Sequence, residues 1–504
     1  MTVADTRYGK VRGAEIADGV LAWRGIPYAK PPVGDLRFRP PEAAESWSGA
    51  RDALGYGNRS LQPEFGPADP QAPPMAEDCL YLNVTAPAGA TGRPVLFWLH
   101  GGGYEGGDGP AYTGDGVAFA RSHGLVVVTI NYRLGALGFL DVPGERLTGA
   151  AGLHDQIAAL RWTHENIAAF GGDPQQITVY GLSAGAKSVT NLLASPLTRG
   201  MIARAAQSSG GEHVKDAAQT RALSGRFLGS LGATADHLRS VPAEEILHAQ
   251  TAVAAPPRST WVWRPSVDGV ALTAKPVTAI AAGAAAGIPL LLQTCARECA
   301  MYALLAPDAP RQTDRVLAAY FGQGTAAKIL ADYAARYPEL DQDALRTAVM
   351  TDERYVAPTE RLADAQASHG SVWRARYDGP YTGLENDPDP EFAQYAPLLH
   401  GAHGADGVGI WQGSSTDGEA DGSLSAALHS IWGAFVTAGD PGWAPYTAPG
   451  KPAMIFAEDG PSVSADPFAH VRDTWSDLDW QPGTWWSFDG EDGQVSGYAA
   501  GRPG

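Results

Sequence analysis

The sequence predicts an α/β protein built on a parallel sheet, and three observations carry that expectation. Val95-Leu96-Phe97-Trp98-Leu99 and the later run LVVVTINY ending at Tyr132 are almost continuously apolar, the pattern of strands buried on both faces. Residues 152–170 set Ile157, Leu160, Arg161, Trp162 and Ile167 at helical spacing, and Gly171-Gly172-Asp173-Pro174 stops that helix. A β-branched and aromatic strand, Ile177-Thr178-Val179-Tyr180, follows at once. Strand, helix, strand is the crossover of a parallel sheet.

Length and composition set the frame. A chain of 504 residues, 44% hydrophobic and 18% charged, has the makeup of a globular protein with a large core. A net charge of −18 argues against nucleic acid and anionic membrane as partners, and mostly serves solubility. The first residues, MTVADTRYGKVRG, hold no apolar signal segment, and no run of about 18 apolar residues occurs, so neither leader nor membrane span is expected. Cys79, Cys295 and Cys299 are too few and too odd in number for a disulfide framework, which fits a cytoplasmic home. Cys295 and Cys299 lie four apart and could share a helical face, but two thiols without a nearby histidine make a poor metal site.

Taken in order, residues 1–60 read as short strands and turns, with a Pro- and Gly-rich ordered loop from Gly25 to Gly34. Gln62 to Pro74 reads as a mobile surface loop, and Glu77 to Val84 as a strand. The strand at Val95–Leu99 ends in His100-Gly101-Gly102-Gly103-Tyr104. Three glycines there allow a tight fold with N–H groups free to bind a developing oxyanion. After Tyr180, Gly181-Leu182-Ser183-Ala184-Gly185 turns sharply into a helix over Ala186–Ala194. Glycines around Ser183 remove the Cβ atoms that would obstruct so tight a turn, leaving the hydroxyl clear of the sheet. HGGG and G-x-S-x-G, in this order and context, point to an acyl-transfer serine with its oxyanion donors. Beyond it, short strands are expected at Ala205–Gly210, Ile288–Leu292, Ser371–Tyr377 and Met454–Phe456, the last closing the sheet. Helices are expected between Lys215 and His248, through 310–370 and over Leu424–Ala438, and the Gly-rich tail after Gly490 reads as frayed. Neither an internal repeat nor a linker divides the chain, so 1–504 reads as one domain with helical insertions at roughly 215–285 and 305–370.

GIPYAKPPVGDLRF, EDCLYLNV, HGGGY, NYRLGALGFL, GLHDQIAALRWTHENIAAFGGDPQQITVYG, the Ser183 turn and GAHGAD occur in register from about Gly9 to about Tyr446. On these residues the chain resembles the type-B carboxylesterases, the cholinesterase-like branch of the α/β-hydrolases. The resemblance implies a mostly parallel central sheet with helices on both faces, helical insertions over the active site, and a serine hydrolase of small-molecule carboxylic esters that needs no metal or cofactor. Residue by residue it implies Ser183 as nucleophile, Gly102, Gly103 and Ala184 as oxyanion donors, His403 as general base and Glu298 as the acid. Ser209 and Asp406 match positions just behind that triad, and Arg133 with Asp173 and Arg37 with Glu77 match ion pairs of the family.

His400 lies close enough to His403 to compete with it. The Gly-rich loop around His403 favours the latter as a base able to reach an exposed serine. The chain leaves the family pattern at three places. Leu182 stands where the family carries Glu, which suggests an apolar pocket floor and selectivity toward apolar or neutral acyl groups. Arg297-Glu298-Cys299 stands for Asp-Glu-Gly, which opens the register of the acid, with Asp268 and Asp378 as poorer substitutes. Ser60 stands where the disulfide partner of Cys79 would be. Tyr104, Trp261, Trp263, Tyr302 and Trp411 form the candidate aromatic pocket, with core packing an equal alternative for each. Competing readings are the same machinery acting on a carbamate, amide or lactone, a non-catalytic adhesion homologue, and a carrier. The intact Ser183, Glu298 and His403 set argues against the last two.

Overall fold

The computed structural model describes residues 1–63, 72–110, 113–142, 149–254, 262–301, 309–381, 395–412, 424–447 and 449–480, with a two-stranded ribbon of Phe488–Asp489 and Gln494–Val495. The central part of the Gln62–Pro74 loop and most of the tail after Gly490 lie outside the described residues.

Thirteen strands make one sheet. Its first part is antiparallel: β1 (Thr2–Thr6), β2 (Gly9–Ala17), β3 (Val20–Pro27) and β5 (Tyr81–Pro87) pair in turn, with β4 (Ala50–Asp52) beside β2. From β7 (Val126–Ile130) the order runs β6 (Arg93–Leu99), β8 (Gly172–Leu182), β9 (Arg204–Ser208), β10 (Leu290–Cys295), β11 (Val372–Asp378) and β12 (Ala453–Ala457), all parallel to their neighbours. The apolar runs explain the centre, because every residue of Val95–Leu99 and of β7 is buried. Alternation then divides the core: Val95, Phe97 and Leu99 enter one hydrophobic cluster, while Leu96 and Trp98 enter a second on the opposite face. Met454–Ile455–Phe456 does not close the sheet. β13 (Gly460–Ser464) pairs antiparallel outside it as a mostly exposed edge, too polar to be read as a strand from its sequence.

Helices cover the sheet. They include α1 (Val117–His123), α2 (Gly135–Phe139), α3 (Ala151–Asn166), α4 (Ala184–Ala194), α5 (Ala217–Leu231), α6 (Ala243–Ala254) and α7 (Pro276–Ala281). The helical stretch after 310 resolves into Ala309–Phe321, Gln323–Arg336, Gln342–Thr351 and Ala357–Ala367, and Leu424–Ala438 is helical over its whole expected length. Cys295 ends β10 and Cys299 lies in the turn after it, so they share no helical face; all three cysteines are free and buried. Ser60 Oγ hydrogen-bonds the Leu134 N–H at 3.1 Å, a local role in place of a cross-link.

One ion pair differs from expectation. Arg133 pairs with Asp155 of α3, not Asp173: Nε and Nη2 reach the two carboxylate oxygens at 2.7 and 2.6 Å. Asp173 lies at the start of β8, where its own chain occupies it: the Gln175 N–H and the Gln176 amide donate to it at 2.9 and 2.8 Å. Arg37 does pair with Glu77, while its Nη1 ties down the carbonyls of Leu238 and Val241 at 2.9 and 2.7 Å. Among the described residues no helix is long and apolar enough to cross a membrane.

Candidate active site

β6 and β8 are neighbours and parallel, with Leu99 opposite Gly181, so the loops that leave them meet at the carboxyl edge of the sheet. Ser183 sits at the head of α4 with φ 58° and ψ −119°, a conformation that L-residues rarely adopt. Glycines make the turn possible. A Cβ on Gly185 would lie 2.0 Å from the Leu99 carbonyl oxygen, and one on Gly181 would lie 2.3 Å from the Gly185 carbonyl carbon. Gly185→Ala is therefore expected to prise the elbow from β6 and cost about 1–3 kcal/mol or more; a urea midpoint and an ester assay would read the loss together.

The loop after β6 folds against that elbow. Gly102 has φ 102° and Gly103 φ 65°, and a Cβ on Gly102 would come 2.1 Å from the Gly106 oxygen. The Gly102 carbonyl accepts N–H bonds from Glu105 and Gly106 at 3.0 and 2.9 Å, which closes the turn. His100 stacks on Tyr132 at 4.4 Å between centroids, and Gly135 N–H donates to the Tyr104 carbonyl at 2.7 Å, so the segment carrying Arg133 braces this loop.

Glu298 and His403 come from other crossovers of the same edge. Glu298 opens the short turn after β10 and is fully buried. Its Oε1 accepts the Cys295 N–H at 2.8 Å, and its Oε2 meets His403 Nδ1 at 2.6 Å. Backbone bonds join the two loops: His403 N–H to the Glu298 carbonyl at 3.3 Å and Arg297 N–H to the Gly401 carbonyl at 2.8 Å. The Arg297-Glu298-Cys299 variation thus leaves the carboxylate aimed at the imidazole. Asp268 is engaged by His154 at 2.9 Å and Asp378 by Arg376, away from His403. His400 turns outward to Glu458 at 3.2 Å.

Behind His403, Asp406 is buried and accepts from Gln293 Nε2 at 2.5 Å and from Cys295 Sγ at 3.6 Å. Burial raises its carboxyl above the ordinary range, opposed by hydrogen bonds from Ser208 and Gln293. Ser209, with φ 59°, donates its N–H to the Gln293 carbonyl at 2.8 Å in the same packed layer. Leu182 is half-buried, and its Cδ2 faces the backbone at Gly404 and Gly407, beside the loop that carries His403.

The aromatic candidates separate. Trp411 lies on the opposite face of the sheet, packed on Trp98 and Phe119 at 4.9 and 5.2 Å, and is core. Tyr104 runs beneath α4, its hydroxyl 3.2 Å from Ser188 Oγ and its ring against Phe139. Trp263 is buried edge-on to Phe227 at 5.6 Å. Each is fully buried in the interior; Trp261 and Tyr302 lie outside the described residues. Three ionisable or aromatic neighbours were missed. Burial pushes the Glu105 carboxyl up to about 7 beside the oxyanion-type loop. Lys187 lies buried one turn along α4, and Tyr355 packs on His403. A lysine inside an otherwise small and apolar helix was the available signal for Lys187.

A strained serine heading a helix, a glycine loop against it and a buried carboxylate–imidazole pair define the serine-hydrolase arrangement of the α/β-hydrolase class. The chain belongs to the Carboxylesterase family, which it matches over residues 1–470, and it is a carboxylic-ester hydrolase. It is 38% identical over 387 residues to the para-nitrobenzyl esterase of Bacillus subtilis, covering 75% of this chain and 78% of that one. It is 33% identical over 459 residues to the fumonisin B1 esterase of Sphingopyxis macrogoltabida, covering 87% and 82%. A solved PNB esterase superposes with TM-score 0.80 at 33% identity over 94% of this chain and 99% of that one. A carboxylesterase of Geobacillus stearothermophilus does so with TM-score 0.80 at 34% identity over 94% and 100%.

Proposed function

We propose that Ser183, His403 and Glu298 hydrolyse esters through a covalent acyl-enzyme. The observation that carries this reading is the 2.6 Å contact between His403 Nδ1 and the buried Glu298 carboxylate, on the same sheet edge as the strained Ser183. With Nδ1 held as donor, His403 Nε2 is the base that takes the Ser183 proton as Oγ attacks the ester carbonyl. The tetrahedral oxyanion lies among the N–H groups of Gly102, Gly103 and Ala184, where one lost donor costs about 2.7–4 kcal/mol. His403 then protonates the leaving alkoxide, and water attacks the acyl-enzyme by the same route. Protein groups alone perform each step.

The substrate class is esters of apolar or aryl small molecules. Support comes from the name of a relative that acts on a para-nitrobenzyl ester. The whole chain acts as one hydrolase domain. A cytoplasmic setting agrees with three free, buried cysteines. A fluorophosphonate probe tests the nucleophile: one covalent adduct is expected, on the tryptic peptide containing Ser183. A panel of aryl, benzyl, carbamate and lactone substrates tests the class, and turnover confined to carbamates or lactones would overturn it.

A further inference from the structure

α4 is built of small and apolar residues, yet Lys187 lies inside it at 2% exposure. Its N–H donates to the Ser183 carbonyl at 2.9 Å, one turn from the strained serine. Its Nζ stands 4.4 Å from the centroid of the Tyr355 ring. Tyr355 in turn packs on the His403 imidazole, with centroids 4.7 Å apart and planes at 37°. Lysine, tyrosine and histidine therefore form one column. Tyr355 is carried by a single π-helical turn, Asp352–Val356, buried at every position. That turn is pinned where Tyr333 Oη donates to Asp352 at 2.6 Å and Trp480 Nε1 donates to Glu353 at 2.7 Å.

We propose that Lys187 is a positioning residue for the histidine: its ammonium holds the Tyr355 ring against the imidazole, and its charge opposes a second positive charge on His403. The proposal rests on the reading of His403 as the general base. A cation over an aromatic face is attracted by the ring quadrupole, and more strongly where water is excluded. Around His403, Glu298 is hydrogen-bonded and Asp406 interacts through space, and Lys187 Nζ stands over the Tyr355 ring that packs on the imidazole. Leu182, packed toward the same loop, contributes no charge. Arg354, Glu298, Glu353 and Cys299 surround Lys187 itself. Burial, reinforced by Arg354, brings its ammonium down to about 7. On the acid side of that value Lys187 is charged, in the range where imidazoles ordinarily take up a proton. Removing that charge is expected to move the acid limb of kcat/KM upward.

The test is kcat, KM and the pH profile of Lys187→Met and Lys187→Arg on p-nitrophenyl acetate across roughly pH 5 to 9. On the acid side of about pH 7, where Lys187 carries its charge, Lys187→Met is expected to lower kcat about tenfold with KM within about twofold, and to raise the acid limb by roughly half to one pH unit. Lys187→Arg keeps the charge and is expected to restore the limb. Tyr355→Leu, which breaks the column but keeps Lys187, is expected to lower kcat like Lys187→Met, and Tyr355→Phe to lose less. A folded Lys187→Met with the parent kcat and acid limb overturns the proposal. Should Lys187→Met fail to fold by circular dichroism, equal kcat for Tyr355→Leu and Tyr355→Phe overturns it instead. His403→Ala separates the two readings: retained activity removes the base assignment, whereas an inactive His403→Ala beside an unaffected Lys187→Met removes only the column.

Discussion

Ser183→Ala is expected to lower kcat/KM for p-nitrophenyl acetate by about 10⁴-fold or more and to abolish fluorophosphonate labelling, with the fold intact. Removing a nucleophile leaves only what positioning and oxyanion binding supply, so the loss is the largest any single side chain here can produce. The fold survives because strain at φ 58° is imposed by the glycine packing around the elbow, and alanine meets the same backbone demand as serine. The hydroxyl itself holds no structural span open: what fixes the residue is its N–H to the Ser208 carbonyl at 2.9 Å and its carbonyl to Lys187. Circular dichroism and the urea midpoint should match the parent protein within error. Activity within about tenfold of the parent would remove Ser183 as nucleophile.

Arg133→Met is expected to cost about 3–5 kcal/mol of stability. Its partner Asp155 is wholly inaccessible and Arg133 is 2% exposed, so truncation strands a carboxylate in the core. Asp155 would keep only the Arg133 backbone N–H, at 3.1 Å. Replacing both partners, as Arg133→Met with Asp155→Leu, is expected to cost less, because no buried charge remains without a counterion. Urea denaturation of the single and double variants reads the difference. Activity should fall with the single change too, since the segment carrying Arg133 bonds the Tyr104 carbonyl through Gly135 and stacks Tyr132 on His100 beside the glycine loop. A single variant as stable as the parent protein would show that Asp155 is neutralised by other means.

The legible parts of this protein share one property: their cause is local. The five-residue apolar run at Val95–Leu99 makes a central strand wherever it is placed, because only a position covered on both faces buries it. The turn at Ser183 is legible because the close approach of Gly181 to Gly185 falls within a few residues, although Gly185 also answers to Leu99 of β6. β13 was missed because a polar edge strand carries no periodic signal of its own; it exists through the neighbour at β12. Asp155 was missed as the partner of Arg133 for a related reason. Its place in the interior is set by how α3 lies across the sheet, and no spacing in the chain encodes that.

The same division runs through the site. By itself the sequence determined the strand–turn–helix around Ser183, the glycine loop at Gly101–Gly103 and the parallel order that brings both to one edge. Only the tertiary structure decided that Glu298 meets His403 while His400 turns to Glu458, that Leu182 faces the loop carrying His403, and that Trp411 is core. It alone revealed Lys187 and Tyr355 behind the imidazole. The physical reason is that backbone strain and burial pattern are written along the chain. A carboxylate's choice of partner, a lysine's loss of water and the face an indole meets depend on atoms brought from other elements, tens to hundreds of residues away, and they exist only after the sheet has closed.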